Sequence, residues 1–228
     1  MKTKILIISF LLFFSLLKSQ IEKPKNSIIE NVSYKSNDLY VITIKKNTMK
    51  FGVTKKKPYN HEFYMNSNFF KNSKTPIGEV IIDGKVINHK ENYGGFFYTI
   101  NGNPMISIGN HPKNVEFSSQ TKYIGIKNGK VNRNIVDRPL NSQKEYRTLI
   151  GKNKNGDLVV IHSSRLGKIS MRDICEFGLT RGIQIGLIFD GGSSVDIGLK
   201  NHSFKSIPFG KSLIGIDEPP IFIVGNFN

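Results

Sequence analysis

The sequence predicts an α+β fold, a single domain rich in antiparallel β-hairpins with few helices. Three observations carry that reading. Asp83-Gly84, Asn101-Gly102, Asn128-Gly129 and Asn155-Gly156 each fall between β-prone runs, and such pairs tolerate the left-handed backbone that tight hairpin turns demand. A helical period with signals at both ends appears once, from about Met171 to Arg181. That helix leads directly into the apolar run Ile183–Phe189, which ends abruptly in Asp190-Gly191-Gly192-Ser193-Ser194, the pattern of a buried strand opening into a polar turn.

Taken in order, residues 1–19 have the form of a secretory signal peptide: Lys2 and Lys4, an apolar run from Ile5 to Leu17, and a small-residue cleavage site ahead of Gln20. The apolar run is short against the ~20 residues of a membrane span. The chain from 20 to 228 is then one exported domain, secreted or periplasmic, with no stable membrane insertion once the signal is removed. It contains no Pro-, Gly- or Ser-rich linker and no fixed-period repeat.

The hairpin flanks are Glu79–Ile82 with Lys85–Asn88, Phe97–Ile100 with Met105–Ile108, Tyr123–Ile126 with Lys130–Val131, and Arg147–Ile150 with Leu158–His162. Ser170 caps the helix with Asp173 three residues on, and Gly182 ends it. Met171, Ile174, Cys175, Gly178 and Leu179 form its apolar face. A last strand is expected at Ile221–Val224, after Pro219-Pro220 has enforced an extended entry.

Composition excludes several chemistries. Cys175 is the single cysteine, so the core alone must stabilise an exported chain, and its place on the apolar helix face makes it an inert thiol. The five histidines show no zinc spacing; no metal and no cofactor is expected. There is no G-x-S-x-G around Ser193 or Ser194 and no phosphate-binding loop. The net charge is +16, of which residues 1–19 supply only three lysines. That surplus favours anionic partners such as phosphorylated glycans, acidic polysaccharide or a lipid surface, whereas export argues against nucleic acid.

The Asp190-to-Ser194 turn is the strongest candidate site. Gly191 and Gly192 permit close backbone approach, and successive amides with the two hydroxyls could cradle an anion. A carboxylate at such a turn suits sugar or phosphodiester hydrolysis. Glycosidases ordinarily use two carboxyl groups, but a phosphodiester is already a good leaving group, so a cation that stabilises its charge can replace part of the acid's role. Asp190 and an arginine would form that pair.

Four segments in order then resemble the phosphodiester glycosidase family: Asn66-Ser67-Asn68-Phe69-Phe70, Gly78 to Lys85 with Asp83-Gly84, Arg147-Thr148 to Gly151, and the helix and strand that end in Asp190-Gly191-Gly192-Ser193-Ser194. Ser67 and Asn68 stand where the family pattern has two glycines. Asn92-Tyr93-Gly94-Gly95-Phe96-Phe97 looks closer to that pattern but falls out of order and is set aside as a decoy. The resemblance implies an exported hydrolase that removes a sugar from a sugar-1-phosphodiester. It implies Asp190 as catalytic carboxylate or substrate-orienting group, Arg147 as phosphate ligand, Gly191, Gly192 and Ser194 as pocket-shaping groups, and Asn66 as a hydrogen-bond partner of the sugar. The alternative is a non-catalytic module that holds an anionic polysaccharide or envelope component in the same cleft.

Overall fold

The computed structural model describes residues 27–55, 60–72, 75–164, 167–192, 195–200, 202–204 and 220–228. The expected export signal, Ser193 and Ser194 lie outside the described residues. Every strand pair among them is antiparallel, as the hairpin signals predict.

A seven-stranded sheet forms the centre, in the order β1 (Ser27–Tyr34), β2 (Asn37–Ile44), β15 (Leu158–Ser163), β14 (Thr148–Asn153), β16 (Ile183–Phe189), β12 (Ile124–Lys127), β13 (Lys130–Val131). A second sheet has the order β10 (Asn103–Ile108), β9 (Gly95–Ile100), β11 (Ser118–Thr121), β7 (Val80–Ile82), β8 (Lys85–Asn88). A third runs β18 (His202–Phe204), β17 (Ile197–Leu199), β4 (Phe63–Asn66), β19 (Phe222–Phe227), β3 (Met49–Thr54). The short pair β5 (Phe70–Asn72) and β6 (Thr75–Pro76) follows β4.

Three of the predicted turns have positive φ at both central residues: Asp83-Gly84, Asn101-Gly102 and Asn128-Gly129. The fourth differs. Only Gly156 of Asn155-Gly156 has positive φ, and the loop is longer because Asn153 Oδ1 accepts from the amides of Asn155 (2.9 Å) and Asp157 (3.0 Å). The first hairpin, β1–β2, turns on Lys35 and Ser36, both at positive φ; without an Asx-Gly pair it left no turn signal.

Strand alternation divides the core. On one face of the seven-stranded sheet Ile42, Ile150, Val160, Leu187 and Phe189 pack with Phe51 and Phe63 of the third sheet and Phe97 of the second. On the other face Val41, Leu149, Val159, Ile161 and Ile188 meet the helices. These are α1 (Arg133–Val136), α2 (Pro139–Ser142) and α3 (Met171–Thr180). The side chain of Ser170 accepts from the Asp173 amide at 3.1 Å and donates to its carboxylate at 2.7 Å, which closes the N-terminus of α3. Ile174 and Cys175 are fully buried beneath it. Among the described residues no helix is long and apolar enough to cross a membrane.

Candidate active site

The site follows from the register of three neighbouring strands. Thr148 pairs with Phe189 on one side and His162 on the other. One residue further out, Arg147 comes opposite Asp190 and Ser163. The Arg147 amide donates to Ser163 Oγ at 2.9 Å, and its carbonyl accepts from the Ser163 amide at 3.0 Å. Alternation sends Arg147 to the helix side, with Leu149, where its guanidinium donates to the Gln143 carbonyl just beyond α2 at 3.2 Å.

Asp190 and Arg147 are buried, at 8% and 7% exposure. The Asp190 amide donates to the Ser67 carbonyl at 3.0 Å. Asn66, fully buried, holds the turn from behind: its side-chain amide donates to the Asp190 carbonyl at 3.2 Å, and its oxygen accepts from the Asp196 amide at 2.9 Å. Asn66 is therefore engaged in fixing backbone around Asp190.

The glycines act through close approach. The Gly191 amide donates to Oδ1 of Asp190 at 3.0 Å and the Gly192 amide to the Tyr146 carbonyl at 2.8 Å. Both amides thus have partners in the structure, one in the Asp190 side chain and one in the chain that leads into β14. A Cβ at Gly191 would sit 2.4 Å from the Tyr146 carbonyl oxygen, and Gly192 has φ +63°. Gly191 lets the turn lie against the chain that leads into β14.

Arg147 is the electrostatic centre. Burial pushes its guanidinium down from the ordinary value, while the charges of Glu145, Tyr123 and Asp190 oppose that shift; an arginine stays cationic throughout. Its Nε is buried without a hydrogen-bond partner. Among the described residues no carboxylate lies within ion-pair distance of it. A buried cation with an idle donor is costly to keep, and an incoming anion would remove the cost.

Sequence reasoning missed the surroundings of this arginine. Glu145 lies 3.7 Å from Lys168 Nζ, which also stands 5.5 Å over the ring of Tyr146. Tyr123 packs against Phe69 with centroids 4.8 Å apart. Glu145 and Tyr146 directly precede Arg147-Thr148 and could have been found by adjacency, whereas nothing in the spacing of Tyr123 or Lys168 points to them.

Ser67 and Asn68, in place of glycines, are both fully buried and lock the first segment to β11. Ser67 Oγ bonds Ser119 Oγ, and Ser119 Oγ donates to Asn68 Oδ1 at 2.5 Å. Asn68 Nδ2 lies within hydrogen-bond distance of the carbonyls of Ile77 (3.1 Å), Glu79 (3.2 Å) and Gln120 (2.8 Å). In the decoy segment a Cβ at Gly95 would come 2.2 Å from Leu187; that glycine serves the packing of β9 on β16. Glu79 faces His111 at 2.5 Å, and His162 is sealed in the core beside Thr148 at 3.1 Å. Burial pushes the Cys175 thiol far up. Among the described residues no cluster of three metal-ligating side chains occurs.

A family model described as phosphodiester glycosidase matches residues 59–212. The chain belongs to the phosphodiester glycosidase family. Of solved structures, the zebrafish N-acetylglucosamine-1-phosphodiester alpha-N-acetylglucosaminidase catalytic domain, auto-inhibited by its pro-peptide, is similar with a TM-score of 0.64 and 13% identity, over 91% of this chain and 85% of that one. A hypothetical protein from Synechocystis is similar with a TM-score of 0.63 and 11% identity, over 89% of this chain and 62% of that one. No curated protein sequence matches the chain. At such identities the two structures establish a shared fold. The phosphodiester glycosidase match covers the Asn66, Arg147 and Asp190 segments alike.

Proposed function

We propose that the protein is an exported hydrolase that releases a sugar from a sugar-1-phosphodiester in an envelope or extracellular glycan. The observation that carries the reading is the buried Arg147 guanidinium, with an unpartnered Nε and no ion-paired carboxylate among the described residues, set beside Asp190. A phosphodiester oxygen is the ligand that would use that donor. Arg147 then binds the phosphate and stabilises the charge that builds on it as the glycosidic bond breaks.

In this reading Asp190 is the carboxylate at the reacting carbon. Glu145, the other carboxylate that acts on the arginine, serves as the second carboxyl group of the glycosidase pair. Gly191, Gly192 and Asn66 hold the turn so that Asp190 keeps its place, Ser194 contributes a hydroxyl to the substrate, and Tyr123 with Phe69 offers an aromatic wall to the sugar. Anion binding falls to Arg147, since the glycine amides are already bonded. Residues 1–19 direct export and 20–228 form the working domain.

The test is sugar release from a panel of sugar-1-phosphodiesters, beginning with N-acetylglucosamine-1-phospho-6-mannose. Asp190→Asn and Arg147→Gln are run in parallel, with circular dichroism as the folding control. Release by the parent and its loss in both folded variants is the expected result. No release across the panel, with salt-sensitive glycan binding that survives Asp190→Asn, would instead establish a binding module on this fold.

A further inference from the structure

A cavity of about 210 Å³ lies at the far end of β14 from Arg147, lined by Lys46, Lys152, Asn103, Pro104 and Met105 above the buried Phe51. Five residues of strand, about 17 Å at the usual rise, separate Lys152 from Arg147. The two side chains also differ in parity along β14, so they serve opposite faces of the sheet.

Lys152 is half-buried, and its ammonium donates to the Pro104 carbonyl at 3.1 Å. Burial pushes it down from the ordinary lysine value, and the charge of Lys46 pushes it the same way. Lys45 also lines the cavity, but Asp157 takes its charge at 3.3 Å. Among the described residues neither Lys46 nor Lys152 has a carboxylate within ion-pair distance. The register of β14 shifts between Lys152 and Asn153, and such bulges re-aim the side chains beside them.

Two like charges brought to one cavity repel each other and forfeit solvation. Three lysines against one aspartate leave the mouth positive. The floor is apolar and the walls offer the Asn103 side chain and backbone carbonyls. The volume suits a single pyranose ring with one charged substituent, whose apolar face could rest on Met105 and Pro104.

We propose that this cavity is a second glycan-binding site, separate from the Asp190 turn, that takes one anionic sugar residue bearing a phosphate or a carboxylate. Lys46 and Lys152 bind the anionic group, and the ring fills the cavity. A polymer held here would be anchored at a point remote from the bond being cut, which raises its effective concentration at the enzyme.

The proposal is tested by residue-resolved NMR titration of the purified protein with glucose 6-phosphate, glucuronate and, as the neutral control, glucose. Either or both anionic sugars should shift the amide resonances of Lys46, Asn103 and Lys152; the arm that binds identifies the anionic group, and glucose should shift none. Lys152→Met should weaken that binding about tenfold, the scale of one charge-assisted hydrogen bond. Arg147→Gln should leave it unchanged, which keeps this result distinct from failure of the hydrolase reading. Should Lys152→Met not fold, Lys46→Gln at an exposed position gives the same readout. Equal shifts with glucose, no shift with either anion, undiminished affinity in the folded lysine variants, or loss of binding in Arg147→Gln would overturn the proposal.

Discussion

Gly191 and Gly192 sit side by side, and substituting each by alanine should give unequal results. At Gly191 the new methyl would lie 2.4 Å from the backbone oxygen of Tyr146. That oxygen cannot swing aside as a side chain could, and it already accepts from the Gly192 amide at 2.8 Å. Relief requires the turn and the lead into β14 to part by about 1 Å. Loss of the hydrogen bond costs about 1 kcal/mol, and forcing a methyl into a packed contact about 1–3 kcal/mol more. At Gly192 a Cβ would meet nothing within 4 Å, and φ of +63° leaves only the left-handed penalty, about 1–2 kcal/mol. For a domain of this length each kcal/mol is about 2–4 °C of Tm. Gly191→Ala should therefore melt about 4–16 °C below the parent and Gly192→Ala about 2–8 °C below it, measured by circular dichroism or calorimetry. Gly191→Ala should also lose sugar release more severely, because the displaced turn carries Asp190. If Gly192→Ala melts as low as Gly191→Ala or lower, the contact with Tyr146 does not set the geometry of the site.

Asn68→Ala strips a hydrogen-bond donor from the carbonyls of Ile77, Glu79 and Gln120 in a fully buried position. It should cost about 2–4 kcal/mol in urea unfolding, and a cost below 1 kcal/mol would refute a locking role. For Asp157, burial pushes the carboxyl up, but the Lys46 amide, Asn153 and Lys45 outweigh it and hold the group below its ordinary 3.8. Its contribution is present above 3.8 and lost as pH falls below that value through the folded-state pKa. Asp157→Asn should lower stability at pH 7 and flatten the acid limb of the stability curve; an unchanged acid limb would count against it. Cys175, fully buried with its thiol pushed far up, should resist iodoacetamide in the native protein and react once urea unfolds it. Rapid labelling of the native state would refute the burial.

The fold was legible where local chemistry decides structure. Asp83-Gly84, Asn101-Gly102 and Asn128-Gly129 prefer left-handed backbone on their own, so their hairpins could be read directly. Ser170 and Gly182 likewise mark the ends of α3. The β1–β2 hairpin could not be read, because Lys35 and Ser36 are held at positive φ by eight paired positions along the two strands, a tertiary effect. The third sheet joins β3, β4, β17 and β19 from distant parts of the chain, and no local signal encodes such pairings.

At the site, Arg147 and Asp190 were found as separate motifs and the fold makes them neighbours. Glu145, Tyr123 and Lys168 went unseen because their relevance comes from the side chain they face. The partner of the Gly192 amide could not be read for a related reason: the Tyr146 carbonyl that accepts from it lies outside the motif.

The register of β14 has a consequence for where the chain can vary. Arg147 stands opposite Asp190 through the register of β14 on β16, and opposite Ser163 through the register of β14 on β15, which the Asn153–Asp157 loop joins at the other end of the hairpin. A slip of one residue there would turn every β14 side chain through the sheet, sending Arg147 into the apolar layer and Thr148 to the helix side. The loop thus acts as a distant set-screw for the arginine. A lengthened loop that preserves the Lys152–Leu158 pair leaves the guanidinium where it is, whereas a single deletion that re-phases the pair removes it from the site without touching any residue near Asp190.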